Sequence, residues 1–418
     1  WRQHKKHVFI LSCAGKPIYT RYGDEDQQAS LFGTLLTLSQ FLQHTTNHHT
    51  EKDVLKCICA GQHRIMFMSQ EFMVLVIVSQ SLPGQHPEPS HSLMQQLSYI
   101  YYQVISILSY SRMKVVYEQR PNYDLRRLLS GAEKFIDSLL ESMDRDPGYL
   151  LCSVKCLPLD VSERESIAQA ISTNAKIKDL VFALLISGNQ LIALIRLKQY
   201  LLHPIDLHVL FNLVTSSESF KHAESWTPIC LPKFDPNGYL HCHISYLDDA
   251  CKVCLLLLSV NKDSFYVLSE CKNRIKEKLT KLNSLNCLSE LLSKSSYYQV
   301  SHCGIPGLLH FIYKARTTGQ FTEPEHSGPY LDQENRERLF SLFRYIYGLM
   351  HTPSRPLKIY YHVGSKENIL AWVTNHFDMY AVFSPLATKN QAIQMVNKLL
   401  KWIKKEENRL FVLSSHII

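Results

Sequence analysis

The chain has 418 residues, of which 45% are hydrophobic and 20% are charged, as is typical of a globular protein of two to four domains. Its apolar runs, such as Phe72–Val78 and Cys254–Leu258, are much shorter than the roughly 18–20 residues that a transmembrane helix needs, so no membrane-spanning helix is expected. The net charge of +8 is spread along the chain and favours anionic partners, such as lipid head groups, only weakly.

The start of the chain and its cysteines indicate the compartment. The chain begins with Trp1 rather than Met, which is typical of a fragment, so we expect an upstream tail. A secretory signal peptide is not expected, because Lys5 and Lys6 lead into a short strand rather than a long apolar run. The 12 cysteines do not form a short secreted framework, and we therefore expect reduced thiols in a cytoplasmic protein.

The first third of the chain predicts the element order ββαβββα. Strands are predicted at 7–13 and 17–22, on either side of a turn at Gly15, Lys16 and Pro17. A helix follows over 27–43, with its apolar face formed by Leu31, Leu35, Leu38 and Leu42. The remaining predicted elements are strands at 54–60, 63–69 and 72–79, a helix over 91–108, and a capped helix within Arg120–Glu133.

The same order is predicted twice more. The second unit has strands at 180–186, 191–198, 226–231, 239–247 and 251–260, helices over 204–215 and 265–282, and a turn at Asp235–Gly238. The third has strands at 308–314, 320–322, 356–363, 368–375 and 378–383, with helices over 333–350 and 389–407. The sequence therefore predicts an α+β protein of three tandem domains, 1–146, 147–296 and 297–418, each an antiparallel five-stranded sheet flanked by helices.

Motifs for covalent chemistry are not found. The sequence has no phosphate-binding loop, dinucleotide fingerprint or nucleophile elbow, so we expect neither an enzyme nor a cofactor. Cys251 and Cys254 have the spacing of zinc ligands but are expected on opposite faces of a strand, which argues against a shared metal. Cys57 and Cys59 would share a strand face and are expected to pack in the core. Lysines and aromatic residues do not interleave as in nucleic-acid-binding modules, so nucleic acid is not an expected partner.

Two charged features have both a functional and a structural interpretation. Asp24, Glu25 and Asp26 precede the first long helix, where they either cap it and interact with its dipole or bind a basic partner. Two predicted helices carry lysine-rich faces, which are either ordinary solvated surfaces or contacts for an anionic membrane. These lysines are Lys272, Lys276, Lys278 and Lys281 on one helix, and Lys398, Lys401, Lys404 and Lys405 on the other.

Several segments, in the right order over nearly the whole chain, resemble the Mon-one family of monensin-sensitivity vacuolar fusion proteins. They include "HVFILSCAGKPIYTRYG", "NYDLRRLLSG", "HPIDLHVLFNLV", "WTPICLPKF", "GYLHCHISYL", "RPLKIYYHVG", "ILAWVTNHF" and "LLKWIKKEENRLF". The resemblance implies three longin domains and a partnership with a tri-longin subunit of the Ccz-one type. It also implies that the pair is a guanine-nucleotide exchange factor for a Rab-seven-type GTPase.

The resemblance further implies a peripheral association with endosomes, late endosomes and autophagosomes through anionic membranes that contain phosphatidylinositol 3-phosphate. A third regulatory subunit is a further expected partner. In this family the first longin domains receive the GTPase, so our candidate GTPase-binding residues are Asp24, Glu25, Asp26, Gln27 and Leu31. Phe32 and Leu36 are expected to give the first helix a second apolar face for the partner subunit. The alternative function is a longin scaffold that tethers membranes or docks effectors without exchange activity.

Overall fold

The computed structural model describes residues 4–23, 25–45, 54–81, 86–120, 123, 125–293, 298–413 and 416–417. Within α1, the helix Glu25–Thr45, the side chains of residues 25–27 and 41–45 lie outside the description, and the predicted core residue Leu42 is among them. The chain divides into two compact units. Unit 1 comprises Trp1–Asp146, Pro236–Gly238 and Leu339–Pro356, and unit 2 comprises Pro147–Asp235, Tyr239–Arg338 and Leu357–Ile418.

Unit 1 contains the first predicted ββαβββα domain. Its strands form an antiparallel sheet of order β2-β1-β5-β4-β3, with β1 in full register with β5 at the centre. The elements in chain order are β1 (Lys6–Ser12), β2 (Pro17–Thr20), α1 (Glu25–Thr45), β3 (Cys57–Ala60), β4 (His63–Ser69), β5 (Met73–Gln80) and α2 (Ser90–Leu108). The predicted order of elements is confirmed here.

Three helices that follow α2 differ from the prediction of one capped helix within Arg120–Glu133. They are α3 (Tyr110–Gln119), α4 (Arg126–Leu129) and α5 (Glu133–Arg145). Among the described residues of that range, the helical ones are therefore the single turn of α4 and the first residue of α5. In α5 the buried residues Ile136, Leu139, Leu140 and Met143 recur at helical spacing, and this periodicity in the sequence is the signal that would have located the helix.

The apolar face of α1 is rotated relative to the prediction. Phe32 and Leu35 are 1% and 2% exposed, whereas Leu38, which was expected in the core, is 41% exposed. The ring of Phe32 packs edge to face on Phe9 of β1, with the ring centroids 5.4 Å apart. An aromatic side chain buries more apolar area than a leucine, so the helix turns Phe32 inward. The expectation that Phe32 gives a partner a second apolar face is therefore wrong.

Unit 2 begins with three elements that lie outside the predicted domain pattern, and continues with the second ββαβββα domain. The first three elements are α6 (Pro147–Leu151), β6 (Val154–Cys156) and α7 (Val161–Asn174). The second domain consists of β7 (Leu180–Ser187), β8 (Gln190–Arg196), α8 (Pro204–Thr215), β9 (Ser225–Leu231), β10 (Asp235–Tyr246), β11 (Cys254–Ser259), α9 (Phe265–Lys281) and α10 (Ser284–Ser293).

The turn predicted at Asp235–Gly238 is displaced. The chain turns at residues 232–234, and Asp235 already pairs with Leu231 as the first residue of β10. The register shifts between Asp235 and Leu240, so the sequence Asp-Pro-Asn-Gly forms an irregular stretch of β10 rather than the turn. A bulge accommodates the proline there, because the shifted register removes the need for its missing N–H.

The third ββαβββα domain closes the chain. It consists of β12 (Leu308–Ala315), β13 (Gln320–Thr322), α11 (Gln333–Met350), β14 (Ile359–Val363), β15 (Asn368–Val373), β16 (Phe377–Phe383) and α12 (Lys389–Lys405), followed by α13 (Glu407–Leu410) and β17 (His416–Ile417). The buried face of α12 consists of Ala392, Val396, Leu399 and Ile403. The α+β class and the three repeats of ββαβββα are confirmed.

The second half of α11 packs within unit 1. Gly348 lies directly against the loop before α2, where an added Cβ would come within 2.2 Å of Pro89 Cβ. The ring of Tyr345 stacks on His86, with the centroids 4.1 Å apart. A glycine and a stacked aromatic residue therefore allow close contact between the helix and the loop.

The strand β6 joins the sheets of the second and third domains into one. It runs parallel to β8 on one side, where Cys156 pairs with Leu191, and parallel to β13 on the other, where Val154 pairs with Gln320. The resulting 12-stranded sheet has the order β14-β15-β16-β12-β13-β6-β8-β7-β11-β10-β9, and β17 also pairs with β8. Two antiparallel five-stranded sets are thus connected through a short parallel strand.

In the second domain, opposite faces of the sheet are covered by different helices. Leu184 of β7 packs in a buried cluster that contains Leu210 of α8. Its neighbour Leu185 packs in a second cluster, which contains Ile275 of α9 and Ile171 of α7. Because successive side chains of a strand point to opposite faces, α8 lies on one face of the sheet and α9 on the other.

The third domain has the reverse arrangement. Val154 and Cys156 of β6 pack in the cluster of α8, so the paired residue Gln320 points to the same face. Gln320 accepts from the Val412 backbone N–H, and the adjacent Phe411 packs in the cluster of α12. The helix α12 therefore shares a face with α8 and lies opposite α9. This reversal follows from the parallel pairing of β6 with the edge strands of both domains.

The burial of Phe32 rather than Leu38 predicts how two variants of α1 differ in stability. We expect Phe32→Ala to lower the local stability of the first sheet by about 3–5 kcal/mol, because it leaves a cavity beside Phe9. The matched variant Leu38→Ala should cost less than about 1 kcal/mol, because Leu38 is 41% exposed. Hydrogen exchange of the β1 and β5 amides measures both effects. Equal losses would place Leu38 in the core instead.

Candidate functional site

The acidic tract predicted to bind a GTPase follows a turn that only glycine fits. Gly23 has a φ of +103°, which L side chains rarely adopt, and a Cβ there would lie 1.9 Å from Gln28 Nε2. The Gln28 amide donates to the Tyr22 carbonyl oxygen at 3.2 Å. The side chain of Gln28, from the first turns of α1, thus folds back over the turn and fixes the direction in which the chain enters the helix.

The structure locates the predicted GTPase-binding residues only in part. Asp24 lies outside the described residues, and Glu25, Asp26 and Gln27 form the first backbone turn of α1 with side chains that are likewise outside the description. Leu31 is half-buried and packs against the core cluster that contains Phe32. The position at a helix N-terminus suits both a cap and a binding site for a basic partner, so the assignment of these residues stays a prediction.

A cluster of half-buried charges lies next to this turn in unit 1. Lys6 Nζ lies 3.1 Å from both Glu88 Oε2 and Asp144 Oδ1. Asp144 is also 3.3 Å from Arg344 Nη2 and 3.7 Å from Arg21 Nη1. Arg21 therefore connects the chain just before the acidic tract to β1, α5 and α11. Three cations around two carboxylates hold these elements together more specifically than apolar contacts would.

The charge cluster lowers the pKa of both carboxyl groups. Burial acts to raise the pKa of Glu88, but the Lys6 ammonium and the Arg344 guanidinium outweigh it, and the pKa falls below its usual value. The same balance of burial against Lys6 and Arg344 lowers the pKa of Asp144. Sequence analysis missed this cluster because its members come from separate elements, with Lys6 and Asp144 138 positions apart.

The lysine face of α9 is partly engaged. Lys272 is 13% exposed, and its ammonium lies 2.7 Å from Glu224 Oε1. Burial opposes ionisation of Glu224, but hydrogen bonds from Lys272, Ser269 and His243 lower its pKa to about 2. Lys281 is exposed and pairs with Glu277 at 2.6 Å. Lys272 is therefore a structural residue, and the prediction that it offers a free charge to a membrane loses its physical basis.

The lysine face of α12 is more open. Lys398, Lys401, Lys404 and Lys405 are all exposed. Lys404 forms an ion pair with Glu407 of α13. In the part of the chain that the structure describes, no carboxylate lies within ion-pair distance of the other three. At 100° per residue, Lys398, Lys401 and Lys405 fall on one stripe of the helix. This stripe, Lys398/Lys401/Lys405, is the basic surface of α12.

The two lysine-rich helices lie on different faces of the same sheet. The helices α9 and α12 cover opposite faces of the 12-stranded sheet, as the clusters around β6 show. The two sets of lysines therefore belong to separate surfaces of unit 2. The sequence could not reveal this, because both helices occupy the same place in the order ββαβββα.

The cysteine motifs differ from their expected placements. Cys251 lies in a turn with a φ of +51°, and β11 begins only at Cys254, so the two residues do not share a strand as predicted. Cys57 is half-buried and Cys59 is exposed on β3, with their Sγ atoms 3.8 Å apart, so core packing is the wrong role for Cys59. No group of three or more His, Cys, Asp or Glu residues in the described ranges is arranged to hold a metal ion.

Comparisons with known proteins bear on the whole chain. Profiles for the first, second and third longin domains of FUZ, MON1 and HPS1 match residues 6–139, 178–277 and 307–407, respectively. Over 414 residues, 99% of its length, the chain is 46% identical to "Vacuolar fusion protein MON1 homolog A" of Gallus gallus and 44% identical to that of Homo sapiens. The chain belongs to the MON1 family. The resemblance inferred from the sequence and the expectation of three longin domains are both confirmed.

Other MON1-type relatives extend the same similarity. The chain is 46% identical to "Protein SAND" of Takifugu rubripes, of which it covers 77%. It covers 73% of the Gallus gallus relative and 62% of the human one, so these proteins are longer than this chain. In the described part of this MON1-family chain, no helix is long and apolar enough to cross a membrane.

The half-buried charge cluster predicts a specific dependence on pH. A carboxyl group with a lowered folded-state pKa stabilises the fold above its unfolded pKa, about 4.3 for Glu, and this contribution disappears as the pH falls through the folded-state value. We therefore expect Glu88→Gln to cost about 3 kcal/mol at pH 7, because it leaves Lys6 and Arg344 short of one negative charge.

The difference in melting temperature between Glu88→Gln and the unchanged protein should stay nearly constant from pH 7 to about pH 5, and should shrink as the pH falls below about 4.3 and through the lowered folded-state pKa of Glu88. Calorimetry across this range measures it. Glu118→Gln on α3, an exposed position, is the matched control and should show little difference at any pH. A difference for Glu88→Gln that stayed constant with pH would mean that the charge of Glu88 does not stabilise the fold.

Proposed function

We propose that this chain is the MON1-type subunit of a heterodimeric guanine-nucleotide exchange factor. Its partner is a tri-longin subunit of the Ccz-one type, with a third regulatory subunit as a further partner, and its target is a Rab-seven-type GTPase. The complex acts in late-endosome maturation and in the fusion of vacuoles, lysosomes and autophagosomes. The chain contributes binding surfaces and no covalent chemistry.

Membership of the MON1 family carries this proposal. The similarity covers 99% of the chain, includes all three longin domains, and leads to relatives that are named vacuolar fusion proteins. A protein built from three such domains suits a role in binding other proteins. Family membership supports a general regulatory role in membrane trafficking. Nucleotide exchange on a GTPase is the more specific activity that we propose.

An exchange factor acts by differential binding rather than by a nucleophile. It favours the state of the GTPase in which a switch loop is displaced, and by linkage it lowers the affinity for the nucleotide. Switch loops hold Mg²⁺ and phosphate groups, so a surface that binds a displaced loop promotes nucleotide release. No catalytic side chain is required for this step.

The acidic tract at the start of α1 is our candidate for that surface. Asp24, Glu25 and Asp26 follow the turn fixed by Gly23 and Gln28, so the tract leaves a defined point of the fold. An ion pair with a basic switch residue that forms only in the open state would favour release, and a close interfacial pair contributes roughly 1.5 kcal/mol or more. We assign Gln27 and Leu31 to the same candidate surface, and Leu31 is half-buried.

The basic surface of α12 is our candidate for membrane contact. Its three lysines are exposed, and no described carboxylate lies within ion-pair distance of them, whereas on α9 Lys272 and Lys281 are paired. Each lysine close to an anionic surface contributes on the order of 1 kcal/mol within a Debye length. Membranes containing phosphatidylinositol 3-phosphate and other anionic lipids supply this charge.

A nucleotide-release assay tests the proposed function. The purified Ccz-one-type subunit and the GTPase loaded with fluorescent GDP are combined with and without this chain. We expect release to accelerate only when both subunits are present. Equal release without this chain would support the alternative, in which it is a scaffold that tethers membranes or docks effectors.

The acidic tract gives a sharper forecast. Changing Asp24, Glu25 and Asp26 to Asn, Gln and Asn should slow exchange by about tenfold in the assembled complex, because the ion pair of the open state is lost. If the acids serve only as a cap, the same variant should melt at a slightly lower temperature and exchange normally. Measuring both quantities on one sample separates these outcomes.

The prediction for membrane binding compares lysine variants of α12 with lysine variants of α9. Replacing Lys398, Lys401 and Lys405 with Glu should weaken binding of the assembled complex to liposomes by about a hundredfold at low salt, with a smaller effect at high salt. The control replaces Lys276, Lys278 and Lys281 on α9, which lies on the opposite face of the sheet, and should leave binding nearly unchanged. Equal losses from both variants would show that charge acts without a preferred face.

A further inference from the structure

The strand β14 forms an open edge of the 12-stranded sheet. Among the described residues, the only strand that pairs with it is β15, on its inner side. Residue pairs in this ladder run from Ile359 with Trp372 to Val363 with Asn368. The outer side of the strand therefore presents backbone groups that no other described strand satisfies.

The ladder register identifies which groups face outward. The Val373 N–H donates to the Lys358 carbonyl oxygen at 2.8 Å, which makes residues 358 and 373 a hydrogen-bonded pair. In an antiparallel ladder, hydrogen-bonded and non-hydrogen-bonded pairs alternate. The N–H and C=O groups of Ile359, Tyr361 and Val363 therefore point away from β15, towards the open edge.

This edge lacks the usual protection against strand addition. Its five residues include no proline, and the ladder with β15 has no bulge. At the opposite end of the same sheet, β9 contains Pro228, a residue that typically blunts an edge. Ile359 and Val363 are 47% and 70% exposed, so the edge of β14 also offers apolar side chains.

The chain already extends its own sheet by strand addition. The three-residue strand β6 pairs with the edges of two longin domains, and β17 adds to β8 by only two residue pairs. A short extended segment is therefore enough to cover a longin edge in this fold. The edge at β14 has five residues and is longer than either of these.

The surroundings of β14 indicate the chemistry of the added segment. The Tyr361 hydroxyl donates a hydrogen bond to the Ala387 carbonyl oxygen at 2.6 Å. This bond holds the loop that contains Leu386 on the same face as Ile359 and Val363. The Leu386 side chain is 89% exposed. The charged side chains that flank the strand and remain exposed are Lys358 and Lys366.

The carboxylate in the following turn is not available to a partner. Glu367 is 3% exposed, and its two oxygens bind the Arg338 guanidinium. Tyr330 also donates to one of them. The side of the strand that carries Ile359, Tyr361 and Val363 is therefore apolar, and an exposed lysine lies beyond each end of the strand.

We propose that β14 binds an extended segment of another protein, which adds to the sheet as a further strand. The segment has apolar side chains at alternate positions, which cover Ile359, Val363 and Leu386, and Asp or Glu residues at its ends, which pair with Lys358 and Lys366. Backbone hydrogen bonds to Ile359, Tyr361 and Val363 supply the affinity. This site does not depend on the exchange activity proposed above.

The test uses a labelled peptide and the full chain. The probe has three alternating Val-Thr pairs with two glutamates at each end, and its binding is followed by fluorescence anisotropy. We expect saturable binding to the unchanged chain. A peptide with the same side chains but N-methylated backbone amides on its inward side should bind at least tenfold more weakly, since it cannot complete the ladder. A failure of the first peptide to bind saturably would overturn the proposal.

Two variants at one position separate backbone from side-chain effects. Val363→Pro removes an outward N–H without breaking the ladder to β15, and should weaken binding at least tenfold. Val363→Thr keeps the N–H and the branched shape, and should bind within about threefold of the unchanged chain. Equal binding by Val363→Pro and Val363→Thr would refute strand addition. If Val363→Pro fails to fold, as judged by circular dichroism, the comparison of the two peptides decides the question.

Discussion

The parallel pairing of β6 with two sheet edges is the constraint on which the arrangement of unit 2 depends. A strand of three residues contributes few hydrogen bonds, yet it determines the relative orientation of the second and third longin domains. Because it is parallel to both edge strands, equivalent faces of the two domains must point in opposite directions. Its own side chains reinforce this, since Val154 and Cys156 are 2% and 1% exposed within the cluster of α8.

The consequences for function come from this reversal. Two helices with similar lysine patterns and the same place in the domain order end up on opposite faces of one sheet. On α12, three exposed lysines have no described carboxylate within ion-pair distance. On α9, Lys272 pairs with Glu224, which also contacts the buried His243. The same connection buries the inner edges of both domains, at β8 and β13. The outer ends, β9 and β14, are left for other partners, and of these only β14 lacks a proline.

Unit 1 relies on a different interaction. A half-buried network of charges joins the first strand to helices distant in sequence, and consists of Lys6, Glu88, Asp144, Arg344 and Arg21. Removing one charge from such a network costs stability, because the remaining like charges are left close together and partly shielded from water. The turn that leads to the acidic tract begins next to Arg21, so the network also fixes the base of the candidate GTPase-binding surface.

Much of the fold was predictable from the sequence because it depends on local patterns. Alternating and helical periodicities located nearly all strands and the main helices of three ββαβββα domains, and the motifs identified the family. The errors have local causes as well. Helix α1 has apolar residues on two faces, and only one face can pack on the sheet. The face with the larger side chain, Phe32, packs on Phe9, and Leu38 is exposed instead. The sequence Asp-Pro-Asn-Gly has the composition of a turn, but the strand register decided that it lies in β10.

The sequence by itself determined the repeated domain, the absence of motifs for covalent chemistry, and the candidate charged residues. Only the tertiary structure decided which charges are free, because a lysine and its carboxylate come from distant elements, as Lys272 and Glu224 do. It also decided which faces and edges remain open. Local periodicity shows that a helix has a polar side. The face of the sheet on which that helix lies depends on how the sheets of two domains join, and here the three residues of β6 make that connection.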